Sequence, residues 1–226
     1  SEKDDNNICI DVPEIISRNR LDVLIEKNSI NYYILEGHPC GLQYEMISAF
    51  AEYLGVELNI TTTNNIENNI HNLQIEKFDV FCDNIIPIKE RFNTNIEFSN
   101  PFMQSSHVLV SRKQINSLQN PKEKQDTIII YIPKNSLYKA IINFQQLDFA
   151  VKPIIIEVEN SGSEQLINAV SKGEIDYTIA NYHLARMKSK LLKNIDYSVK
   201  ISKELPIAWA INSCSQQLRD SINNWL

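Results

Sequence analysis

The sequence predicts an α/β protein made of two similar lobes, and three observations support this prediction. Strand-like and helix-like segments alternate along the chain, a pattern typical of mainly parallel sheets flanked by helices. One short motif occurs twice, once in each half. Two further strand-like segments, 107–113 and 204–212, stand where the chain would cross between the halves. The expected division is a leader at 1–18, one lobe at 19–110 plus 205–226, and a second lobe at 111–204.

The first half contains three predicted strands and two predicted helices. "LDVLIE" (21–26) is a strand, and "LQYEMISAFAEYLG" (42–55) has the apolar spacing of an amphipathic helix that ends at a glycine. "VELNITT" (56–62) alternates as a strand. "NIENNIHNLQIEK" (65–77) is a helix with a weaker pattern, and "FDVFCDNII" (78–86) is a buried strand.

The second half repeats this order. Its predicted strands are "TIIIYIP" (127–133), "PIIIEVE" (153–159) and "IDYTIAN" (175–181). The helices that follow them are "SLYKAIINFQQL" (136–147), "SEQLINAVSKG" (163–173) and "YHLARMKSKLL" (182–192). The final segment, 215–226, is also helical in pattern, and we expect it to pack against the first half.

The repeated motif links the ends of two buried strands. "QIEKFDVFCDN" and "SKGEIDYTIAN" both have an aspartate near the start of the strand, Asp79 or Asp176, then four mainly apolar residues and an asparagine, Asn84 or Asn181. Chance similarity between two buried strands is the alternative, but the matching order of the surrounding elements favours two lobes of one plan. Open α/β sheets bind ligands at such strand ends, and pockets commonly lie at domain boundaries. The sequence therefore predicts a hinged cleft with Asn84 and Asn181 inside it.

Composition excludes several classes of function. The 226 residues carry a net charge of −6 without a run of Lys or Arg, so a nucleic-acid-binding surface is not expected. Five glycines are too few for a glycine-rich phosphate loop. The longest apolar runs have the length of strands and are too short to span a bilayer. The polar start, "SEKDDNN", is typical of a disordered leader or tether.

The cysteines and histidines do not form a metal-binding pattern. Cys9, Cys40, Cys82 and Cys214 lack the close spacing of a zinc site. The position of Cys82 is typical of a small buried apolar residue. The sequence leaves undecided whether two of the other three cysteines form a disulfide. The four histidines show no paired spacing, so neither a metal nor a cofactor is predicted.

The segment "KERFNTNIEFSNPF" (89–102) contains the strongest candidate for direct ligand recognition. The guanidinium of Arg91 is a planar fork of donors suited to a carboxylate. The alternative is a surface arginine paired with Glu90 or Glu97, and the residues by themselves favour that alternative. The turn-rich stretch "EFSNPF" ends in an aromatic residue, Phe102, which is a further candidate for ligand binding.

Three stretches together resemble a known family. They are "GLQYEMISAFAEYLGVELNI", "KFDVFCDNIIPIKERFNTNIEFSNPF" and "GEIDYTIANYHLA". They are similar to the family 3 solute-binding proteins, two-lobed periplasmic receptors of the type 2 periplasmic-binding fold, over about Leu21 to Leu226. "GHPCGLQYEMISAFAEYLGV" and "SGSEQLINAVSKGEIDYTIAN" are especially similar to the N-terminal module of membrane-bound lytic murein transglycosylase F. That family has a lysozyme-like catalytic domain after the module, and the resemblance implies sensing of peptidoglycan-derived peptides.

The resemblance implies roles for several positions. Arg91 falls where the receptors bind the α-carboxylate of an amino acid. Asn181 replaces the aspartate that pairs with the α-ammonium, and asparagine keeps the acceptor but loses the charge. Ile86 and Ile88 stand where hydroxyl residues normally precede the arginine, which leaves Asn84 as the polar group there.

Other candidates lie in loops at strand ends or helix starts: Ser29, Tyr32, Tyr33, Asn135, Ser136 and Ser161. Tyr32 or Tyr33 could stack on the ligand, with a core position as the alternative. Asn135 and Ser136 replace the family's glycine-threonine loop and could cap a helix and donate to an anion. For Ser161 the alternative is a plain helix cap.

The expected function is a non-catalytic module that closes on an anionic amino-acid-like or peptidoglycan-peptide ligand. We expect it to be a monomeric regulatory domain of a lytic-transglycosylase-like protein, periplasmic and membrane-anchored as a lipoprotein, with a lysozyme-like domain as partner. The alternatives are a transport receptor of an amino-acid importer and a dehydratase-like enzyme on the same fold. The sequence contains no Glu-Ser pair of the kind that a lysozyme-like active site requires.

Overall fold

A computed structural model of the protein describes residues 9–71, 77–91, 95–113, 128–144 and 153–226. In chain order its elements are α1 (Val12–Ser17), β1 (Arg20–Glu26), β2 (Tyr33–Leu35), β3 (His38–Cys40), α2 (Leu42–Leu54), β4 (Glu57–Thr63), α3 (Ile66–His71), β5 (Val80–Ile85), a 3-10 turn (Lys89–Arg91), β6 (Ile96–Phe98), β7 (Met103–Ser105), β8 (His107–Arg112), β9 (Ile129–Pro133), α4 (Tyr138–Phe144), β10 (Ile154–Val158), α5 (Ser163–Lys172), β11 (Tyr177–Asn181), α6 (Tyr182–Leu191), β12 (Ile195–Lys200), β13 (Leu205–Asn212) and α7 (Gln216–Trp225). Strands and helices alternate through most of both halves, as the sequence predicts.

The first lobe is built on a sheet of order β4-β1-β5-β13-β6, with β7 also paired to β13. β1 runs parallel to β4 and to β5, so these three strands end at one edge of the sheet. β13 returns antiparallel to β5 and brings the C-terminal segment into this lobe. The five middle residues of β1 are all buried, because neighbouring strands and helices cover this strand on both sides.

The second lobe has a five-stranded sheet of order β10-β9-β11-β8-β12. β9, β10 and β11 are parallel, whereas β8 runs antiparallel to β11 and places His107 opposite Asn181. β12 pairs antiparallel with β8. Each lobe therefore combines three parallel strands with antiparallel strands that lie near the crossings, and this confirms the predicted two-lobed α/β fold.

The crossing into the second lobe lies earlier than the predicted boundary at 110. All of β8 pairs within the second sheet, and its Val108 and Val110 pack against α5 and α6 in one buried cluster. These side chains gain burial only in the second lobe, so the chain leaves the first lobe between β7 and β8. The return crossing lies between β12 and β13.

Part of the predicted leader is folded. α1 begins after Asp11, whose side chain accepts a hydrogen bond from the backbone N–H of Val12, and Glu14 completes the capping box. Ile15 is fully buried in the core of the first lobe. The predicted leader at 1–18 therefore includes a helix, α1, which one apolar side chain anchors to the first lobe. Residues 1–8 lie outside the described part.

Each lobe has its own hydrophobic core. Phe50 of α2 and Trp209 of β13 are fully buried in the first lobe, where Trp225 of α7 packs against both rings. The second core is formed around Tyr177 and Ile130. Within the described part of the chain, no helix combines the length and the apolar character needed to cross a membrane.

Candidate ligand-binding cleft

A cavity of about 60 Å³ lies between the two lobes, at the ends of the parallel strands. Glu26 ends β1, and Asp83 and Asn84 lie near the end of β5. From the second lobe, Pro133 ends β9 and Asn181 ends β11. Strand ends of both sheets thus converge on one space, as the topology of two facing α/β lobes requires.

Two acidic side chains of the first lobe form a hydrogen-bonded pair in this cavity. Burial raises the pKa of Asp83 to about 6, although Asn31 donates a hydrogen bond to its carboxylate. Burial, and then the neighbouring charge of Asp83, raise the pKa of Glu26 well above its ordinary value. Asn28 donates to Glu26 at 3.2 Å. The first lobe therefore presents a proton-sharing carboxyl pair to the cavity.

Glu67 adds a third carboxylate to the lining. It accepts a hydrogen bond of 2.9 Å from the backbone N–H of Leu137 in the second lobe. The described lining contains no Lys or Arg. Its histidine, His107, is uncharged at neutral pH, because burial lowers its pKa to about 4. The described surface of the cavity is therefore acidic.

Asn84 lies in a polar chain that reaches the core of the first lobe. Its side-chain amide donates to the Oδ1 of Asn31 at 3.3 Å and accepts from Gln43 at 3.4 Å. Gln43, fully buried, accepts a 2.6 Å hydrogen bond from the indole N–H of Trp209. This series of hydrogen bonds fixes the orientation of the Asn84 side chain from the side that faces the protein core.

Asn181 ends β11 and caps helix α6. Its Oδ1 accepts a 2.9 Å hydrogen bond from the backbone N–H of His183. Its Nδ2 is buried and finds no hydrogen-bond partner among the described residues, and the same holds for the hydroxyl of Ser136. Both residues line the cavity from the second lobe. Two fully buried polar atoms that are unpaired among the described residues thus belong to the second-lobe side of the cleft.

The remaining wall of the second lobe is neutral. His107 contacts the ring of Tyr138 edge-on, at 5.4 Å between ring centres, and its Nδ1 lies 3.1 Å from the hydroxyl of Ser202. The hydroxyls of Tyr138 and Ser163 share a hydrogen bond of 2.9 Å. Burial raises the pKa of Tyr138, so this phenol stays protonated.

The lobes contact each other directly, so the structure is a closed form. Hydrogen bonds join the start of α3 to the loop before α4; they run from Asn65 Nδ2 to the carbonyl of Lys134 (3.0 Å), from Asn135 Nδ2 to Asn68 Oδ1 (2.8 Å), and from the Leu137 N–H to Glu67. Gly162 of the second lobe lies directly against the backbone carbonyl of Asn64 in the first.

A second contact between the lobes involves Ser29. Its backbone N–H and its hydroxyl both donate to the carboxylate of Glu164, each at 2.6 Å. Lys188, which is largely buried, pairs with the same carboxylate at 3.0 Å. Burial would raise the pKa of Glu164, but the hydrogen bonds from Ser29 and Lys188 outweigh it and lower the pKa. This ionised carboxylate therefore holds the lobes together.

The other sequence-predicted residues lie outside the central cavity. Ser29, Tyr32 and Tyr33 line a separate groove of about 340 Å³ between the lobes. Phe102 packs on Trp209, with 5.6 Å between ring centres, and borders a surface pocket away from the cleft.

Three further residues that the sequence predicts for the site line neither the central cavity nor the separate groove among the described residues. Asn135, in a left-handed conformation, takes part in the contact between lobes. Ser161 is not among the described lining of either space. The side chain of Arg91 lies outside the described part of the chain, and its predicted contact with a carboxylate stays a prediction.

Sequence reasoning missed Glu26 and Glu67. Glu26 ends a parallel strand, so the rule that selected Asn84 and Asn181 would also have found it. Glu67 had no comparable signal, because it lies on a helix and reaches the cleft only when the lobes meet.

The chain is similar in sequence to several curated proteins. The chain is 26% identical over 212 residues to a membrane-bound lytic murein transglycosylase F of Desulfosudis oleivorans, covering 94% of this chain and 46% of that protein. For the same protein of Actinobacillus succinogenes the identity is 29% over 208 residues, with coverage of 89% and 41%. The chain thus spans less than half the length of these relatives.

Two solved structures share the fold. The arginine-bound form of truncated ArgBP from T. maritima superposes with a TM-score of 0.73 at 19% identity, over 94% of this chain and 97% of that one. The amino acid transporter substrate-binding protein AbpA of Streptococcus pneumoniae, bound to L-arginine, gives 0.74 at 19% identity, over 94% and 89%. The family model for bacterial extracellular solute-binding proteins, family 3, matches residues 21–226. The chain therefore belongs to the family 3 bacterial extracellular solute-binding proteins.

Proposed function

We propose that this chain is a non-catalytic module whose lobes close on a small amino-acid-like or peptide ligand that carries a positive charge. One observation supports the charge of the ligand: Glu26, Glu67 and Asp83 line the cavity, and its described lining contains no Lys or Arg. A buried cation between these carboxyls would offset the cost of ionising them, because buried charges require a partner of opposite sign.

This proposal reverses the sign of the ligand's charge, because the sequence predicts an anionic ligand. The anionic ligand was inferred from Arg91, whereas the acidic side chains of the described cavity repel an anion. A zwitterion, such as an amino acid or peptide with a cationic group, is compatible with both the acidic cavity and the Arg91 prediction. Its cation would face the carboxyl groups, and Arg91 could still bind its carboxylate. The bound L-arginine named for AbpA supports a ligand of this class.

Substitution of the acidic pair tests the proposal. We expect Glu26→Gln to weaken binding of L-arginine or of a diamino-acid-containing muropeptide by roughly 10- to 150-fold, since a hydrogen bond to a charged group is worth about 1.5–3 kcal/mol. Isothermal titration calorimetry measures this loss. Glu174→Gln removes the same charge from an exposed site of the second lobe and should leave the affinity unchanged. Equal affinities for the wild type and Glu26→Gln would contradict the proposed site.

The affinity for a cation should also depend on pH. Because the pKa of Asp83 is raised to about 6 and that of Glu26 is raised as well, the pair retains protons in mildly acidic solution. A bound cation favours the ionised form, so binding releases protons and strengthens as pH rises through about 6. The gain is at most about tenfold per pH unit for each linked proton.

Titrations between about pH 5 and pH 8, in buffers of different ionisation enthalpy, measure this proton release. Asp83→Asn should flatten the profile. The stability of the unliganded protein changes in the opposite direction: the contribution of the pair is full below the ordinary carboxyl pKa and is lost as pH rises through the raised values. An affinity that falls with rising pH would refute the linkage.

For the biological role, we propose a regulatory sensor in a periplasmic, lipoprotein-anchored protein related to lytic transglycosylases. The sequence similarity to transglycosylase F proteins supports this role, and the disulfide Cys9–Cys214 is consistent with an oxidising compartment. Peptidoglycan cleavage by a protein that joins this module to a lysozyme-like domain should respond to the ligand. Stimulation of an importer's ATPase instead would favour a transport receptor.

A dehydratase is the second candidate, because a buried carboxyl of raised pKa can serve as a general acid. The described lining lacks a cation for an anionic substrate such as prephenate. We therefore expect no turnover of prephenate in an absorbance assay, and measurable turnover would reverse the order of the two candidates.

A further inference from the structure

We infer that Glu164 and Lys188 form a preformed latch in the second lobe, which closes on Ser29 of the first lobe and stabilises the closed form without a ligand. The inference goes beyond the proposed function, because it concerns the equilibrium between the open and closed forms of the ligand-free protein. None of the three residues belongs to the described lining of the central cavity, so the latch and the ligand act at different places.

The second-lobe part of the latch is an ion pair that does not depend on the first lobe. Glu164 lies in the first turn of α5 and Lys188 lies on α6, with 3.0 Å between the lysine Nζ and the carboxylate. The side chain of Lys188 is 9% exposed, and a buried ammonium requires an anionic partner. Because both helices belong to the second lobe, the pair stays together when the lobes separate and holds the carboxylate in position.

The first-lobe part of the latch is a turn that presents two donors of one residue. The side-chain oxygen of Asn28, a buried residue, accepts hydrogen bonds from the N–H groups of Ile30 (2.9 Å) and Asn31 (2.8 Å). Such side-chain bonds to the following backbone fix the loop after β1. The turn uses the N–H groups of these two residues and leaves the N–H and the hydroxyl of Ser29 to donate to Glu164.

The hydrogen bonds between the two parts are charge-assisted. Both donors of Ser29 reach the Glu164 carboxylate at 2.6 Å, one on each oxygen. The bonds that Asn65 and Asn135 donate across the lobes join neutral groups, and hydrogen bonds to an ionised group are about twice as strong. The latch therefore increases the fraction of closed molecules before a ligand arrives, and the apparent affinity for a ligand rises with that fraction.

Hydrogen exchange of the ligand-free protein, followed by NMR, tests the latch at a distance. The N–H of Leu137 donates to Glu67 across the lobes, in a contact that shares no residue with the latch, so its exchange rate reports how often the lobes separate. We expect Glu164→Gln and Ser29→Ala each to accelerate exchange at Leu137 at least about tenfold, because each variant removes a charge-assisted hydrogen bond between the lobes.

Two variants within the second lobe provide matched controls. Glu174→Gln removes the carboxylate of an exposed ion pair with Lys172, and Ser171→Ala removes a hydroxyl that donates to Asn194. Both contacts lie within one lobe, so neither variant should change the exchange rate at Leu137.

A further amide reports whether the second lobe stays folded, because Glu164→Gln leaves Lys188 without an anion. This amide is that of Ile179, which is fully buried in β11 and should keep its wild-type exchange rate. If exchange at Ile179 also accelerates in Glu164→Gln, the result for Ser29→Ala decides, since that variant leaves the ion pair of the second lobe intact.

The outcomes distinguish this inference from the proposed function. Exchange in Glu164→Gln that accelerates at Ser29 but not at Leu137 would reduce the contact to a local tie of one loop. Unchanged exchange at Leu137 in Ser29→Ala would overturn the latch. Either result would leave the cationic site standing, since the experiment uses no ligand. Conversely, failure of the wild type to bind L-arginine would count against the proposed ligand and leave the latch unaffected.

Discussion

Gly162→Ala should hold the lobes apart and weaken ligand binding by roughly 5- to 150-fold. In the closed form, an added Cβ would overlap the backbone carbonyl of Asn64 in the other lobe, which has no flexible side-chain end to move aside. Overpacking of this kind costs about 1–3 kcal/mol, and the cost arises only when the lobes meet. The φ of Gly162 is −95°, so alanine is compatible with its local backbone.

Two measurements check this result. Small-angle scattering should report a larger radius of gyration for Gly162→Ala than for the wild type, and calorimetry should report the loss of affinity. Ser161→Ala changes the neighbouring residue without adding an atom toward Asn64 and serves as the matched control. Wild-type dimensions together with wild-type affinity in Gly162→Ala would rule out the closed arrangement as the binding form.

Removal of the Cys9–Cys214 disulfide should lower the free energy of unfolding by about 2–5 kcal/mol. The bond joins residues 205 positions apart and so closes a loop that includes both lobes. In the chain-entropy account, a long closed loop restricts the unfolded chain strongly and thereby favours the folded state. Cys214→Ser, or reduction of the wild type, should shift the urea midpoint downward.

The free cysteines provide the control for this prediction. Cys40→Ser alters a half-buried residue that is not in a disulfide and should leave the midpoint close to that of the wild type. Hydrogen bonds from the N–H groups of Gln217 and Leu218 to Asp11 remain in the reduced protein, so we expect lower stability rather than loss of the fold. An identical midpoint with and without reductant would contradict the stabilising role of the bond.

The repeated motif shows which spatial relations a local sequence pattern can predict. Asp79 pairs with Arg18 at the start of β5, and Asp176 pairs with Arg112 before β11, at 2.5 Å. Asn84 and Asn181 then lie on opposite walls of one cavity. The correspondence inferred from spacing thus holds in space, because two lobes of one plan place equivalent strand ends toward each other.

The sequence could not decide what these strand ends offer a ligand. Whether Asn181 presents its oxygen or its amide to the cavity depends on the N–H of His183, which takes the oxygen. Whether Asp83 is charged depends on its burial beside Glu26. Residue types gave no sign of either, because both depend on neighbours that the fold supplies.

By itself, the sequence determined the alternation of strands and helices, the division into two lobes and the strand ends that face the cleft. These features depend on local periodicity and on the rule that parallel strands end at one edge of a sheet. Only the tertiary structure decided the Cys9–Cys214 pairing, the acidic character of the cavity and the contacts of Ser29, Glu67 and Gly162 across the lobes. These contacts join residues far apart in the chain, and their chemistry arises from burial that no local pattern records.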